Sequence, residues 1–458
     1  MSDSNFTPKQ HRTVTLMILA VIIVFALLSG IVITSFQGWE NPSPVATLPF
    51  TPQIPTSLPM PSPVLSPTLQ VGLWPQVQAA RLFDQIAHQV EIIRGLYPRA
   101  EVPLSFLDER EMTVLLRRLY IERGPKAHLF PYIVLGLLPD ASISIHPHQV
   151  AGVYASEQEQ LYVATGQRES SVDDQALLAH AYTHALQDQH FDLGAMNARA
   201  TTTDATLAIR ALVEGDATIL AALYRYENLA TADWEHLTGL ILQAEQPDYG
   251  EELDRVEAWA RLQRFPYWEG RQFTEALFQA GGWEAINRAY TDPPRSTEQV
   301  LHLERYSEER DVPAGVIVPD ISAIVGEGWT MSLQDVLGEF VIGLYLDETL
   351  PGEVAWQAAD GWDGDTFVAW EHEDGRRVIV WRTVWDTTAE AAEFEHALIA
   401  LVPQRYLPAL PVDPPVRLAG RWWETDAGAV YVYRVARYVT FVQAPDVNAL
   451  ANVVEVLP

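Results

Sequence analysis

The chain contains no cysteine. That absence excludes disulfides, thiolate metal sites and a cysteine nucleophile, so any metal has to be held by His, Asp or Glu. Basic residues are scarce: 30 Lys and Arg stand against 60 Asp and Glu, a formal net charge of -30. With so little positive charge to set against phosphates, nucleic acid is excluded as a partner. No repeat period appears in the 458 residues, a length sufficient for two or three domains with sizeable cores.

Charge is also missing from two N-terminal stretches. Val14 to Ile33 holds 20 residues without a charge, and the apolar character continues to Phe36. A helix of that length spans about 30 Å, the thickness of a bilayer core. Residues 14–36 are therefore expected to be a transmembrane anchor. Lys9 and Arg12 precede the run and Glu40 is the first charge after it, which places the tail, 1–13, in the cytoplasm and the remainder outside. A cleaved signal peptide is the competing reading, but the run exceeds a usual signal core and no small-x-small site follows it. Residues 41–70 carry nine prolines and no charge. The segment 37–70 is read as an extended polyproline-II spacer that holds the ectodomain off the membrane.

Beyond Leu73 the texture becomes that of packed helices. Apolar residues recur at helical steps over 73–95 and 108–121, and "PYIVLGLLPD" (131–140) is a short apolar helix or turn. Two β-rich runs around a polar centre mark 150–164 as a hairpin or edge strand. Helices are expected at 172–188, opened by Asp173-Asp174, then at 203–226, 232–244, 252–263 and 269–289. After about residue 312 the composition shifts again. A helix near 331–345, two strands around the turn Glu373-Asp374-Gly375, a helix at 388–401, strands at 417–425 and 428–442 and a helix at 445–453 describe an α+β domain with an antiparallel sheet. Its tryptophans, Trp362, Trp370, Trp381 and Trp385, read as packing residues.

The segment with chemical content is "LLAHAYTHALQDQHFDL", 177–193. His180 and His184 are four apart, so both imidazoles leave one helix face and can share a metal. A zinc site of this kind needs a third protein ligand and an open position. Glu214, thirty residues on, sits in an otherwise apolar helix where an unpaired carboxylate is costly. Asp216 is a candidate partner for a ligating imidazole. His190 is the rival third ligand, at the offset found in H-x-x-G-x-x-H, although Gln187 occupies the place of the glycine.

The stretch resembles the helix of a group of bacterial and archaeal extracytoplasmic zinc metallopeptidases of gluzincin type, which reads "LAHE-x-THALQDQHFDL". "VAGVYASEQEQLYV" is similar to their "VAGFYDP…LYV", "ALVEGDAT" (211–218) to their "EGxA" element, and 267–306 to their "Y…G-x-x-F…GGW…N-x-x-Y-x-x-PP-x-STEQ-x-x-HPEKY" run. "GWDGDTFVAW" (361–370) looks like a further shared element, and together these span most of 105–400 in order. The resemblance implies a mostly helical zincin-like domain, 71–312, with Zn2+ on His180, His184 and Glu214, followed by the α+β domain, 313–458. It also implies an edge strand able to align an extended peptide or protein segment. His302 stands at the position of the HPEKY histidine, with Leu303 in place of the proline, and is a candidate for supporting either a metal ligand or the transition state. Tyr306, Tyr267 and Tyr182 are further candidates, each more readily explained as structural.

The departure is Ala181, which stands where these peptidases carry the glutamate that takes a proton from water and delivers it to the leaving amine. Alanine does neither, and loss of general acid–base help costs about 10²- to 10⁴-fold in rate. Val153, Ala155 and Ser156 depart from the "GFYDP" pattern as well, which points to a naturally impaired homologue. Two alternatives remain at this stage: an active zinc endopeptidase that recruits Glu157 or Glu159 as its base, and a metal-free interaction module.

Overall fold

Capping chemistry and backbone contact set the helices that matter most. Helix α1 runs over Gln76–Arg94, followed by a four-residue strand, β1 (Leu104–Leu107), and helix α2 (Glu109–Arg117), which opens on a capping box between Asp108 and Glu111. Helix α3 is Pro125–Val134. Strands β2 (Gly152–Ala155) and β3 (Gln160–Ala164) form the hairpin expected from 150–164. They join β1 in a small sheet of order β1-β3-β2, with β1 parallel to β3 through Leu104 opposite Leu161. Helix α4, Val172–Phe191, is capped by Ser171, whose hydroxyl accepts from the Asp174 amide, and it ends where Asp192 turns into the left-handed region. Helix α5 (Leu193–Arg199) leads to α6 (Thr203–Glu227), capped by Thr202, and then to α7 (Trp234–Glu245) and α8 (Glu257–Thr291).

The computed structural model describes residues 76–119, 125–138, 152–164, 171–228, 234–245, 257–307, 310–413 and 419–458. The expected anchor at 14–36 and the spacer to residue 70 lie outside them. Among the described residues no helix is long and apolar enough to cross a membrane.

Helices α6 and α8 cross at a pair of glycines. A Cβ on Gly215 would stand 2.2 Å from the carbonyl oxygen of Gly270, and one on Gly270 would stand 2.2 Å from that of Ala211. The two backbones therefore touch, and only glycine allows it. Separate helices at 252–263 and 269–289 were the sequence expectation. Instead α8 continues through Pro266 and breaks at Gly281-Gly282, where Gly282 has φ 62°. A single missing N–H is tolerated in a well-packed helix, whereas a positive φ ends the helical path outright.

Short helices α9 (Thr297–Leu301) and α10 (Leu303–Ser307) follow, then α11 (Ser322–Val325). A second departure comes at Trp329–Asp335, which is strand β4 where a helix from 331 was expected. The helix, α12, starts only at Gly338, whose φ of +80° redirects the chain, and ends at Asp347. Helix α13 (Gly352–Ala359), strands β5 (Trp362–His372) and β6 (Arg377–Trp385) and helix α14 (Thr388–Arg405) come next. Strands β7 (Ala409–Pro411), β8 (Arg421–Thr425), β9 (Gly428–Val435) and β10 (Tyr438–Ala444) and helix α15 (Val447–Val454) complete the chain. The expected single strand over 428–442 is thus a hairpin, turned at Ala436 with φ 52°.

The protein is a mostly helical middle domain followed by an antiparallel sheet domain. Among the described residues the sheet has seven strands in the order β4-β5-β6-β10-β9-β8-β7. Trp381 and Trp385 point from it into a core shared with Phe265 and Phe273 of α8 and Leu207 and Leu212 of α6, while Trp370 and Val380 lie in a smaller core on the other face with Leu450 of α15. Asp365 ties the sheet together, accepting from the indoles of Trp362 and Trp381 at 3.1 Å each and from the amide of Gly338 at 3.0 Å.

Candidate metal centre

Three ligand-type side chains converge between α4 and α6. His180 and His184 project from one face of α4, and Glu214 meets them from α6, immediately beside the Gly215 crossing. The two Nε2 atoms are 3.1 Å apart, and Glu214 Oε2 lies 3.3 Å from each of them. Four donors held tetrahedrally about 2.0–2.1 Å from zinc are separated by about 3.3 Å, so the three atoms stand at the edges such a site requires. His180 is 1 % exposed, whereas His184 and Glu214 keep 13 % and 15 % of their side-chain surface. The ligand atoms thus open toward solvent on one side.

The hydrogen bonds behind the cluster place a proton on His184 Nδ1. Gln187 Nε2 donates to the Val213 carbonyl at 3.0 Å and to Asp216 Oδ2 at 2.9 Å, both of which only accept. Its oxygen is therefore the atom 2.8 Å from His184 Nδ1, and Nδ1 must carry the proton. In the neutral imidazole the lone pair is then on Nε2, which faces Glu214 and His180, the tautomer a metal ligand needs. Asp216 in turn is fully buried and accepts from Arg94 at 2.8 and 3.1 Å and from the Tyr290 hydroxyl at 2.8 Å. Burial and the neighbouring Asp216 hold the Tyr290 hydroxyl well above its ordinary pKa, so it stays a donor. Arg94 also donates to Asn287 at 2.8 Å and stacks 4.5 Å from the Trp283 ring centre.

Asp216 therefore acts on the histidine pair through Gln187 and not by direct contact with an imidazole. Gln187, read in the sequence only as a non-glycine, is the missed residue. Its three-residue step from His184 on the same helix face was the available signal. Arg94 and Tyr290 had none, being 122 and 74 residues from Asp216. His190 is directed elsewhere, with Nε2 2.8 Å from the carbonyl of Tyr97.

Ala181 is 1 % exposed and faces the hairpin. Its Cβ is 4.0 Å from where a Cβ on Gly152 would be, and that same point is 3.0 Å from Leu178 Cδ2 and from the Tyr162 carbonyl oxygen. Strand β2 thus lies directly on the helix one residue from His180. Glu157 and Glu159 sit on the exposed hairpin tip, which packs against α5 beyond the C-terminal end of α4. They do not belong to the group formed by His180, His184 and Glu214. Tyr267 is buried with its ring 6.4 Å from that of His180. Tyr182 donates to Glu91 at 3.0 Å and packs edge-on against Phe83. Tyr306 donates to the Asp292 carbonyl at 3.0 Å, and His302 pairs with Glu339 at 2.8 Å.

Residues 329–454 match a sequence family described as a domain of unknown function, DUF8575. The match spans β4 to α15 and so coincides with the sheet domain; it does not include the histidine helix. No curated protein and no solved structure matches the chain.

Proposed function

We propose that this chain is a membrane-anchored, extracytoplasmic homologue of zincin-type metallopeptidases that holds zinc on His180, His184 and Glu214 and hydrolyses peptides weakly or not at all. The observation carrying the reading is the convergence of those three ligand atoms at 3.1–3.3 Å, with His184 Nδ1 held by Gln187 so that Nε2 faces the other two. Zinc, when bound, supplies Lewis acidity toward a carbonyl and eases deprotonation of water. Everything else has to come from the chain. Ala181 offers no atom to accept or return a proton, and Asp216 is fully engaged by Arg94, Gln187 and Tyr290. The exposure of Glu157 and Glu159 on the hairpin tip gives no support to a substitute base. Strand β2, at the edge of its sheet among the described residues, offers backbone groups with which an extended peptide can pair, so peptide capture can outlast loss of turnover. The anchor rests on the uncharged run Val14 to Ile33.

The test is zinc content and peptide hydrolysis of the full chain beside the His180→Ala, His184→Ala double variant. The double variant is expected to hold one zinc equivalent fewer. Equal zinc in the two proteins would overturn the metal reading. Ala181→Glu is expected to raise hydrolysis by about 10²- to 10⁴-fold over a near-background wild type. Brisk hydrolysis by the wild type would show that a base exists and sink the impaired reading.

A further inference from the structure

A second group of ligand-type side chains lies at the junction of the helical and sheet domains. His302 caps the C-terminus of α9, Glu339 lies in the first turn of α12, and Asp360 follows the last residue of α13. His302 Nε2 is 2.8 Å from Glu339 Oε1 and 3.8 Å from Asp360 Oδ1, and the three ligand atoms lie within 4.8 Å of one another. A simple imidazolium–carboxylate pair would account for the first distance but not for what surrounds it. Glu339 is 3 % exposed, and its second oxygen, Oε2, is buried with no hydrogen-bond partner among the described residues. Glu298, one helical turn before His302, is 1 % exposed and likewise has a buried Oε2 without a partner there.

Acidic side chains crowd this region. Glu298, Asp311 and Asp386 also bring ligand atoms within 4.8 Å of one another, but their cation is already present. Arg305 reaches Asp311 at 2.7 Å and Asp386 at 2.5 Å. Among the described residues, the direct cationic partner of Glu339 and Asp360 is His302, with Arg305 acting on Glu339 from farther off. Buried carboxylates with vacant lone pairs are costly unless a cation meets them. Asp360, 64 % exposed, and His302, 29 % exposed, leave the space open to solvent on one side.

We propose that His302, Glu339 and Asp360 form a second site, separate from the His180 centre, for a divalent transition-metal cation of zinc type. One imidazole with two carboxylates suits zinc, manganese or cobalt better than calcium or magnesium, which prefer oxygen alone. The site sits on the first turn of α12 and the end of α13, so its cation would tie α9 to the sheet domain.

The test uses the full chain and zinc itself, by equilibrium dialysis and by cobalt substitution. In the His180→Ala, His184→Ala background one zinc equivalent is expected to remain, with a visible cobalt spectrum. Adding His302→Gln is expected to lower its affinity at least tenfold and abolish that spectrum. Asp360→Asn, a change at an exposed side chain that leaves folding intact, is expected to weaken zinc by tenfold or more and guards against a mere folding failure of the first variant. No zinc in the double variant, or zinc indifferent to both His302→Gln and Asp360→Asn, would overturn the proposal. Should the His180 centre itself bind nothing, the wild type would still hold one equivalent and lose it with His302→Gln, so the two readings fail separately.

Discussion

Gln187 determines which nitrogen of His184 faces the candidate centre. Its amide is anchored on Val213 and Asp216, so its oxygen can only accept. Replacing it by leucine keeps the bulk and removes this orientation. Gln187→Leu is expected to weaken zinc binding by about 10- to 100-fold, the usual cost of removing a partner that orients a ligand, and titration with a competing chelator would measure it. Unchanged affinity would mean that His184 is held by other contacts. At this scale the sequence was partly transparent. The i,i+4 histidines and the isolated carboxylate of Glu214 were readable because helical periodicity and the cost of burying charge are local rules. Arg94, Asn287 and Tyr290 were not, since their roles arise from contacts across more than seventy residues.

Among the elements, the crossing of α6 and α8 positions the third ligand. Glu214 precedes Gly215, and the backbone contact there fixes the height at which its carboxylate meets the histidines. A methyl at Gly215 would fall 2.2 Å from the Gly270 carbonyl oxygen and 2.8 Å from Thr274 Oγ1. Gly215→Ala is therefore expected to destabilise the protein by about 3 kcal/mol, read as a fall in the denaturation midpoint, with weaker zinc binding in the molecules that remain folded. An unchanged midpoint would mean that the helices separate freely. Helix positions were largely legible here, because apolar periodicity and the acidic pair Asp173-Asp174 at the start of α4 carry them. Strand β1 was too short to read, and β4 was taken for helix. What makes Trp329–Asp335 a strand is pairing with β5, Trp329 opposite His372, a partner more than forty residues away.

For the molecule as a whole, stability carries a pH signature in Glu269 on α8. Burial pushes its carboxyl up to about 7, against the opposing pull of Arg264, Arg261 and Arg271. The folded state keeps this proton after the unfolded chain has released it near 4.5. The associated stability is complete below about pH 4.5 and declines as pH rises to about 7, by about 2–3 kcal/mol. Glu269→Gln is expected to be the more stable protein at pH 8 and indistinguishable from wild type at pH 4.5, checked by urea unfolding at both values. A gap of equal size at both pH values would show that packing and not ionisation governs the site. The two-part architecture was legible from composition, but the contacts joining its halves were not. Asp204 at the start of α6 accepts from the Thr297 amide and hydroxyl, and its own amide donates to Val336; a residue in a run of ordinary helix gives no sign of that.

Helix α12 belongs to the segment that matches a recognised sequence family, yet residues Gly338 to Leu346 are all buried. A surface helix shows one wet face, and this one shows none. The ring centre of Phe340 lies 4.1 Å from that of Phe265 of α8, so part of its cover comes from outside the segment. The segment is in that sense not portable. Any protein that carries it with this helix intact has to bring an apolar helical neighbour as well, in the same chain or on another. The sequence flanking such segments is then the place to search for the companion they share.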